Sequence, residues 1–159
     1  MARALSPLIV TLPLEKASVI VDEALRLARE HELLPLTVVV LDAGGHPIAL
    51  KREDGSGILR VQIACAKAYG ALGMGNSSRA IGERLASRPV FATSLTVISD
   101  GQLAAVPGGV LVCKADGTVV GAVGISGDTS ERDEFAAVSA VITAGMVPEP
   151  REPDPAWNG

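Results

Sequence analysis

Aromatic side chains are nearly absent, with one Trp, one Tyr and two Phe among 159 residues. A core built without large rings must be packed from Val, Leu, Ile and Ala. Cysteine is equally scarce. Cys65 and Cys113 lie far apart and neither belongs to a CxxC pair. That excludes a paired-cysteine zinc site and a disulfide framework, and it suits two core thiols in a reducing cytoplasm. Only two histidines are present, and neither an HExxH helix nor a serine–histidine–acid set can be assembled. No block of Lys and Arg occurs and the net charge is -4, so nucleic-acid binding has no electrostatic footprint. The apolar runs are too short to span a bilayer. The stretch from Met1 to Val10 is broken by Ser6 and Pro7 and reads as no secretory signal, which makes the cytoplasm the expected location.

What is abundant is small residues. Seventeen glycines and a hydrophobic content of 48% favour helices lying tight against a sheet, or a pocket lined by backbone. A chain of this length fits a single domain that hides about two-thirds of its unfolded surface. From Leu14 to Leu33 apolar residues recur at helical spacing, with Thr11 placed to cap and Pro13 in the first turn. A β-branched run, Leu36 to Leu41, reads as a buried strand. Asp42-Ala43-Gly44-Gly45-His46 then turns into a second strand through Arg52, making a hairpin. The next helix is rich in small residues, with Val61, Ala64, Cys65, Ala68 and Leu72 as its stripe and Arg60 and Lys67 projecting elsewhere. Its glycines are costly unless something packs closely on them. Short helices follow, the second with Phe91, Leu95 and Ile98 on one face. Ala115-Asp116-Gly117-Thr118 turns a second hairpin. Gly127 to Ser130 caps a last helix with Phe135, Val138, Val141 and Ile142 as the buried stripe. Residues 147–159 carry four prolines and are expected to form a flexible tail without regular structure, outside a domain spanning 1–146. Two hairpins with helices between them predict an α+β fold.

Several segments then resemble a known family in its own order: Val39 to His46, Ala64 to Tyr69, Val106-Pro107-Gly108-Gly109, Asp116 to Gly127, and Asp133-Glu134 in the last helix. Together they resemble the GlcG/HbpS family, which also supplies the C-terminal domain of PduO-type corrinoid adenosyltransferases. The resemblance runs from about Leu14 to Met146. It implies a profilin-like antiparallel sheet flanked by helices, a homo-oligomer, and haem as a cofactor, in haem or iron handling or in redox sensing. Two features depart from the pattern: Val110-Leu111-Val112 replaces a segment that often contains proline, and the Pro-rich tail is additional.

Each candidate residue has a functional and a structural reading. His46 is a candidate axial donor to haem iron, although an exposed turn histidine is the commoner outcome. His31 suits the negative end of its helix. Tyr69 could stack on a flat ligand or donate its hydroxyl; Met74, Met146, Cys65 and Cys113 are further possible donors. Gly108, Gly109, Ser126 and Gly127 leave backbone amides for an anion such as a propionate, with Gly127 just before a helix N-terminus, unless they serve packing alone. Lys67 is a cation among small apolar residues, where burial lowers the pKa and favours a carboxylate partner: Asp133, Glu134 or Asp42. These residues support two functional readings. One is a haem-binding protein with the ligand in a groove between subunits, against the small-residue helix. The other is an enzyme acting on a carboxylate or carbonyl metabolite through Lys67 with Asp133 or Glu134 as acid and base. An oligomer without ligand is a third.

Overall fold

A computed structural model describes residues 4–159, and the fold is α+β with one five-stranded antiparallel sheet. In chain order the elements are α1 (Leu14–Glu30), β1 (Thr37–Asp42), β2 (Pro47–Arg52), α2 (Arg60–Met74), α3 (Ser78–Leu85), α4 (Pro89–Ile98), β3 (Gly109–Cys113), β4 (Val119–Ser126), α5 (Ser130–Thr143) and β5 (Val147–Glu149). The strands lie in the order β2-β1-β4-β3-β5. Both expected hairpins form, and β1 pairs with β4 to join them.

Alternation along the central strands divides the core into two layers. Val38, Val40, Val110, Val112, Val123 and Ile125 face α1 and α5. Val39, Leu41, Leu111, Cys113 and Ala122 face α2. Side chains of a strand point alternately to opposite faces, so strands buried on both faces read as unbroken apolar runs. The sheet edge at β2 begins with Pro47 and ends with exposed Lys51 and Arg52, features that discourage pairing with another strand.

Glycines of β3 and β4 are where α2 touches the sheet. A Cβ at Gly124 would overlap the Ala64 carbonyl oxygen, and one at Gly109 would overlap that of Lys67. Backbone rests on backbone here, which is the close packing that the small residues of α2 anticipate. The stripe itself is rotated from the expected one. Ala64, Ala66, Lys67, Ala68, Gly70 and Ala71 are buried, while Val61, Cys65 and Leu72 are half-buried. Lys67 therefore points into the core rather than away from it. In α5, Phe135, Val138 and Val141 are buried as expected, but Ile142 is exposed. Thr11 does not cap α1, whose N-cap is Pro13; its hydroxyl instead accepts from the Ala43 amide at 3.1 Å.

Residues 147–159 do take up regular structure, against the expectation from their prolines. β5 pairs with β3, and Pro155–Asn158 forms a turn of 3-10 helix. Three contacts make this possible. Glu149 accepts from the Ser77 amide, buried Glu134 accepts from the Asp154 amide at 2.9 Å, and Arg79 donates to the Glu152 carbonyl at 3.0 Å. Trp157 then stacks on Phe135 with ring centroids 3.6 Å apart, and His31 meets both rings edge-on. His31 thus ends α1 and also completes an aromatic cluster. We expect Trp157→Ala to cost about 1–2 kcal/mol through the lost stack and its burial. A thermal melt would show it, and an unchanged midpoint would mean the tail adds nothing to stability.

Candidate functional site

The residues singled out by the sequence fall into two separate places. Lys67 donates to Asp133 Oδ2 at 3.0 Å and to the Ile125 carbonyl at 2.9 Å, joining α2 to α5 and β4. The two side chains are 2% and 1% exposed. Burial pushes the Lys67 ammonium down and the Asp133 carboxyl up, and each partner's charge pulls the other back. Asp133 Oδ1 also accepts from the Asp128 amide at 3.0 Å. Gly108, at φ +116, lies against this pair, since a Cβ there would crowd the Lys67 Nζ. Glu134 turns the other way, 3.1 Å from Arg79 and fully buried, and burial raises its pKa. Asp42 is not a partner of Lys67 at all.

The turn before α5 is filled by the chain's own side chains, and the Gly109 amide is taken. Asp128 Oδ1 accepts from Thr129 at 2.7 Å, Asp128 Oδ2 from Leu34 at 2.7 Å, and Thr129 caps α5 by accepting from Arg132. Buried Ser126 accepts from Arg60 at 3.1 Å, and the Gly109 amide donates to Ser78 at 2.7 Å. Every buried side-chain polar atom among the described residues has a partner. None of the surface clefts described below is lined by Lys67, Asp133 or Glu134. This network is closed on itself, its buried charges paired with one another.

The second place is a cleft at Tyr69. Its ring lies over Gly45, where φ is +83 and a Cβ would strike the ring edge, so the hairpin turn and α2 meet there because the turn residue has no side chain. On one side of Tyr69 a hollow of about 170 Å³ is lined by Ala43, Gly44, Gly45, Leu72 and Gly73. On the other, a hollow of about 170 Å³ runs beneath α4 and includes Gly70, Gly73, Met74, Leu95, Ile98 and Leu103. Tyr69 and Gly73 border both hollows. At Gly73 no atom stands within 4 Å of where a Cβ would be, so the floor between the hollows is bare.

His46 stands just beyond the turn, with its side chain 80% exposed and Nδ1 3.5 Å from Asp42 Oδ1. The amides of His46 and Gly44 donate to that same oxygen and hold the Asp42 carboxyl below its usual range, helped by the imidazole. A carboxylate at Nδ1 leaves Nε2 free to act as a donor, an arrangement common among ligating histidines. The structure thus brings Tyr69, Met74 and the turn before His46 to one cleft. It does not bring Met146 or Cys113, which pack in the two core layers. Cys65 lies half-buried in a different hollow beside Asp100 and Gln102, where burial raises its thiol pKa. The wall supplied by Leu95 and Ile98 was marked in the sequence only by their shared helical face. Nothing local showed that α4 would border the same hollow as α2.

Comparison with known proteins decides the family. The model of the family described as haem degrading protein HbpS-like matches residues 12–142. The chain belongs to this family. Among HbpS-like relatives, an uncharacterized 15.0 kDa protein from the dhaT–dhaS intergenic region of Citrobacter freundii is 30% identical over 108 residues, covering 68% of this chain and 75% of that protein. The crystal structure of a PduOC–haem complex superposes with a TM-score of 0.77 at 22% identity, covering 85% of this chain and 96% of that one. That of HbpS gives 0.72 at 25% identity, covering 90% and 97%. These agreements establish the α+β fold. No helix among the described residues is long and apolar enough to cross a membrane.

Proposed function

We propose that this HbpS-like protein binds haem at the Tyr69 cleft, as a homo-oligomer serving haem or iron handling or redox sensing. One observation carries the reading: the bare surface at Gly73 lies in an apolar cleft between two side chains of iron-donating type, Tyr69 and Met74, with His46 beyond the rim. Tyr, His and Met are all established axial ligands of haem. The donor set and the flat, side-chain-free floor fit a planar macrocycle. The volume fits an edge of one, because hollows of about 170 Å³ on either side of Tyr69 fall below the ~300–1,000 Å³ of a pocket that encloses its ligand. The remainder of a bound ring would extend beyond these hollows, which suits a groove shared between subunits.

Bound haem supplies reversible iron redox chemistry. The chain's own part is to orient a donor, through Asp42 on His46, and to offer an apolar wall at Leu95 and Leu103. Haemin titration of the purified protein tests the reading, with His46→Ala, Tyr69→Phe and Met74→Leu beside the wild type. A saturable Soret shift is expected in the wild type, lost or displaced in the variant that lacks the iron donor. Absence of any saturable shift in the wild type would overturn the proposal.

Gly73→Ala separates ligand space from stability. In a helix this change favours the folded state by up to about 1 kcal/mol, and nothing obstructs the new methyl. The same methyl occupies the floor on which the ring would lie. The variant is expected to melt higher and to bind haemin about tenfold more weakly, a loss of the size that ~1.4 kcal/mol produces.

A further inference from the structure

The geometry points to residues 5–10 as an apolar arm that closes over the ligand at Tyr69, an inference that rests on the haem-binding reading. The root of the arm is fixed at the cleft. Thr11 accepts from the amide of Ala43, a residue that lines the hollow on the turn side of Tyr69. Leu12 is buried, its side chain filling the space above Gly121 where a Cβ would stand. Beyond that anchor the chain has no regular structure.

The arm is apolar in a way that its own protomer does not explain. Leu5 is 90%, Leu8 86% and Ile9 96% exposed, and Val10 is 68% exposed. Six extended residues reach ~20 Å, several times the width of a 170 Å³ hollow. From Thr11 the arm can therefore cross the cleft mouth and pass over a flat ligand seated against Tyr69. The β2 sheet edge does not invite it. Pro7 interrupts the arm without an amide to donate, and the β2 edge carries Pro47, Lys51 and Arg52. What the arm can cover is an apolar, planar face, and the cleft encloses only one edge of such a ligand. Covering the exposed face with Leu8 and Ile9 removes apolar surface from water on both sides of the contact.

The test compares the full chain with a chain lacking residues 2–10 and with a full-length Leu8→Ser, Ile9→Ser double variant. The double variant keeps the chain length, and both sets of changes leave the anchor and the core untouched. Each protein is loaded with haemin, and release to excess apomyoglobin is followed. Release should be faster by about tenfold or more in both variants, as expected when buried aliphatic side chains are lost. Circular dichroism and the mass by light scattering should stay unchanged. Release within twofold of the full chain overturns this inference alone and leaves haem binding standing. A drop in assembled mass in either variant also overturns it, because the arm then belongs on a second copy. Failure of the full chain to take up haemin removes the haem-binding reading and this inference with it.

Discussion

Lys67→Ala is expected to lose a large share of the fold's stability. Removing one member of a buried ion pair costs ~3–5 kcal/mol, because the other charge remains buried without its counter-charge. A domain of this kind has only about 5–15 kcal/mol in total. In the variant Asp133 would keep the Asp128 amide, but it would lose the ammonium 3.0 Å away. The Ile125 carbonyl would lose its Lys67 donor as well. Urea denaturation of Lys67→Ala and Asp133→Ala should give similar, large losses. The Lys67→Met, Asp133→Leu double variant should recover much of that loss, since apolar residues of similar volume often replace a buried pair without penalty. A Lys67→Ala protein within about 1 kcal/mol of wild type would show that the pair holds nothing together.

Gly124→Val should be as damaging by a different mechanism. Even the first carbon of a side chain at this position overlaps the Ala64 carbonyl oxygen, and Ala68 stands beside it. The obstacle is helix backbone rather than the flexible end of a side chain, so α2 as a whole would have to rise from β4. Overpacking of a well-filled core ordinarily costs about 1–3 kcal/mol, and displacement of a whole helix places this substitution at or above the upper end. Lifting α2 would also strain the Lys67 bridge to Asp133 and tilt Tyr69 away from Gly45. Soluble yield and the urea midpoint report the first effect, and the haemin titration reports the second. Gly117→Ala is the control. Nothing lies within 4 Å of its added carbon, so its cost is limited to the strain of a turn residue at φ +86. Equal damage from the two substitutions would show that close helix–sheet approach is not what Gly124 provides.

The strands of both hairpins and α1 were legible because their signals are local: β-branched runs, Asp-Gly and Gly-Gly turns, and helical spacing of apolar residues. The small residues of α2 announced close packing for a similar reason, since a surface without bulk must meet another backbone. The tail was misread because proline opposes regular structure locally, while its order comes from Ser77, Glu134, Arg79 and Phe135, all distant in sequence. Periodicity set Lys67 off the apolar stripe, while its small neighbours called for burial beside a carboxylate, and which of three candidates it met was not legible. That carboxylate, Asp133, lies 66 residues further on.

By itself, then, the sequence determined the α+β class, the order of the elements and the membership in a haem-related family, because these follow from short-range pattern and motif. It also named Lys67, Asp133, His46 and Tyr69 as residues worth attention. Tertiary structure alone decided where they sit and what they touch. It sealed Lys67 and Asp133 into a bridge between α2 and α5, and filled the N-terminus of α5 with the chain's own carboxylates. It also gathered Tyr69, Met74 and the Gly44-Gly45 turn at one cleft under α4. Burial and pairing depend on which distant segments meet, and no local pattern of residues carries that information.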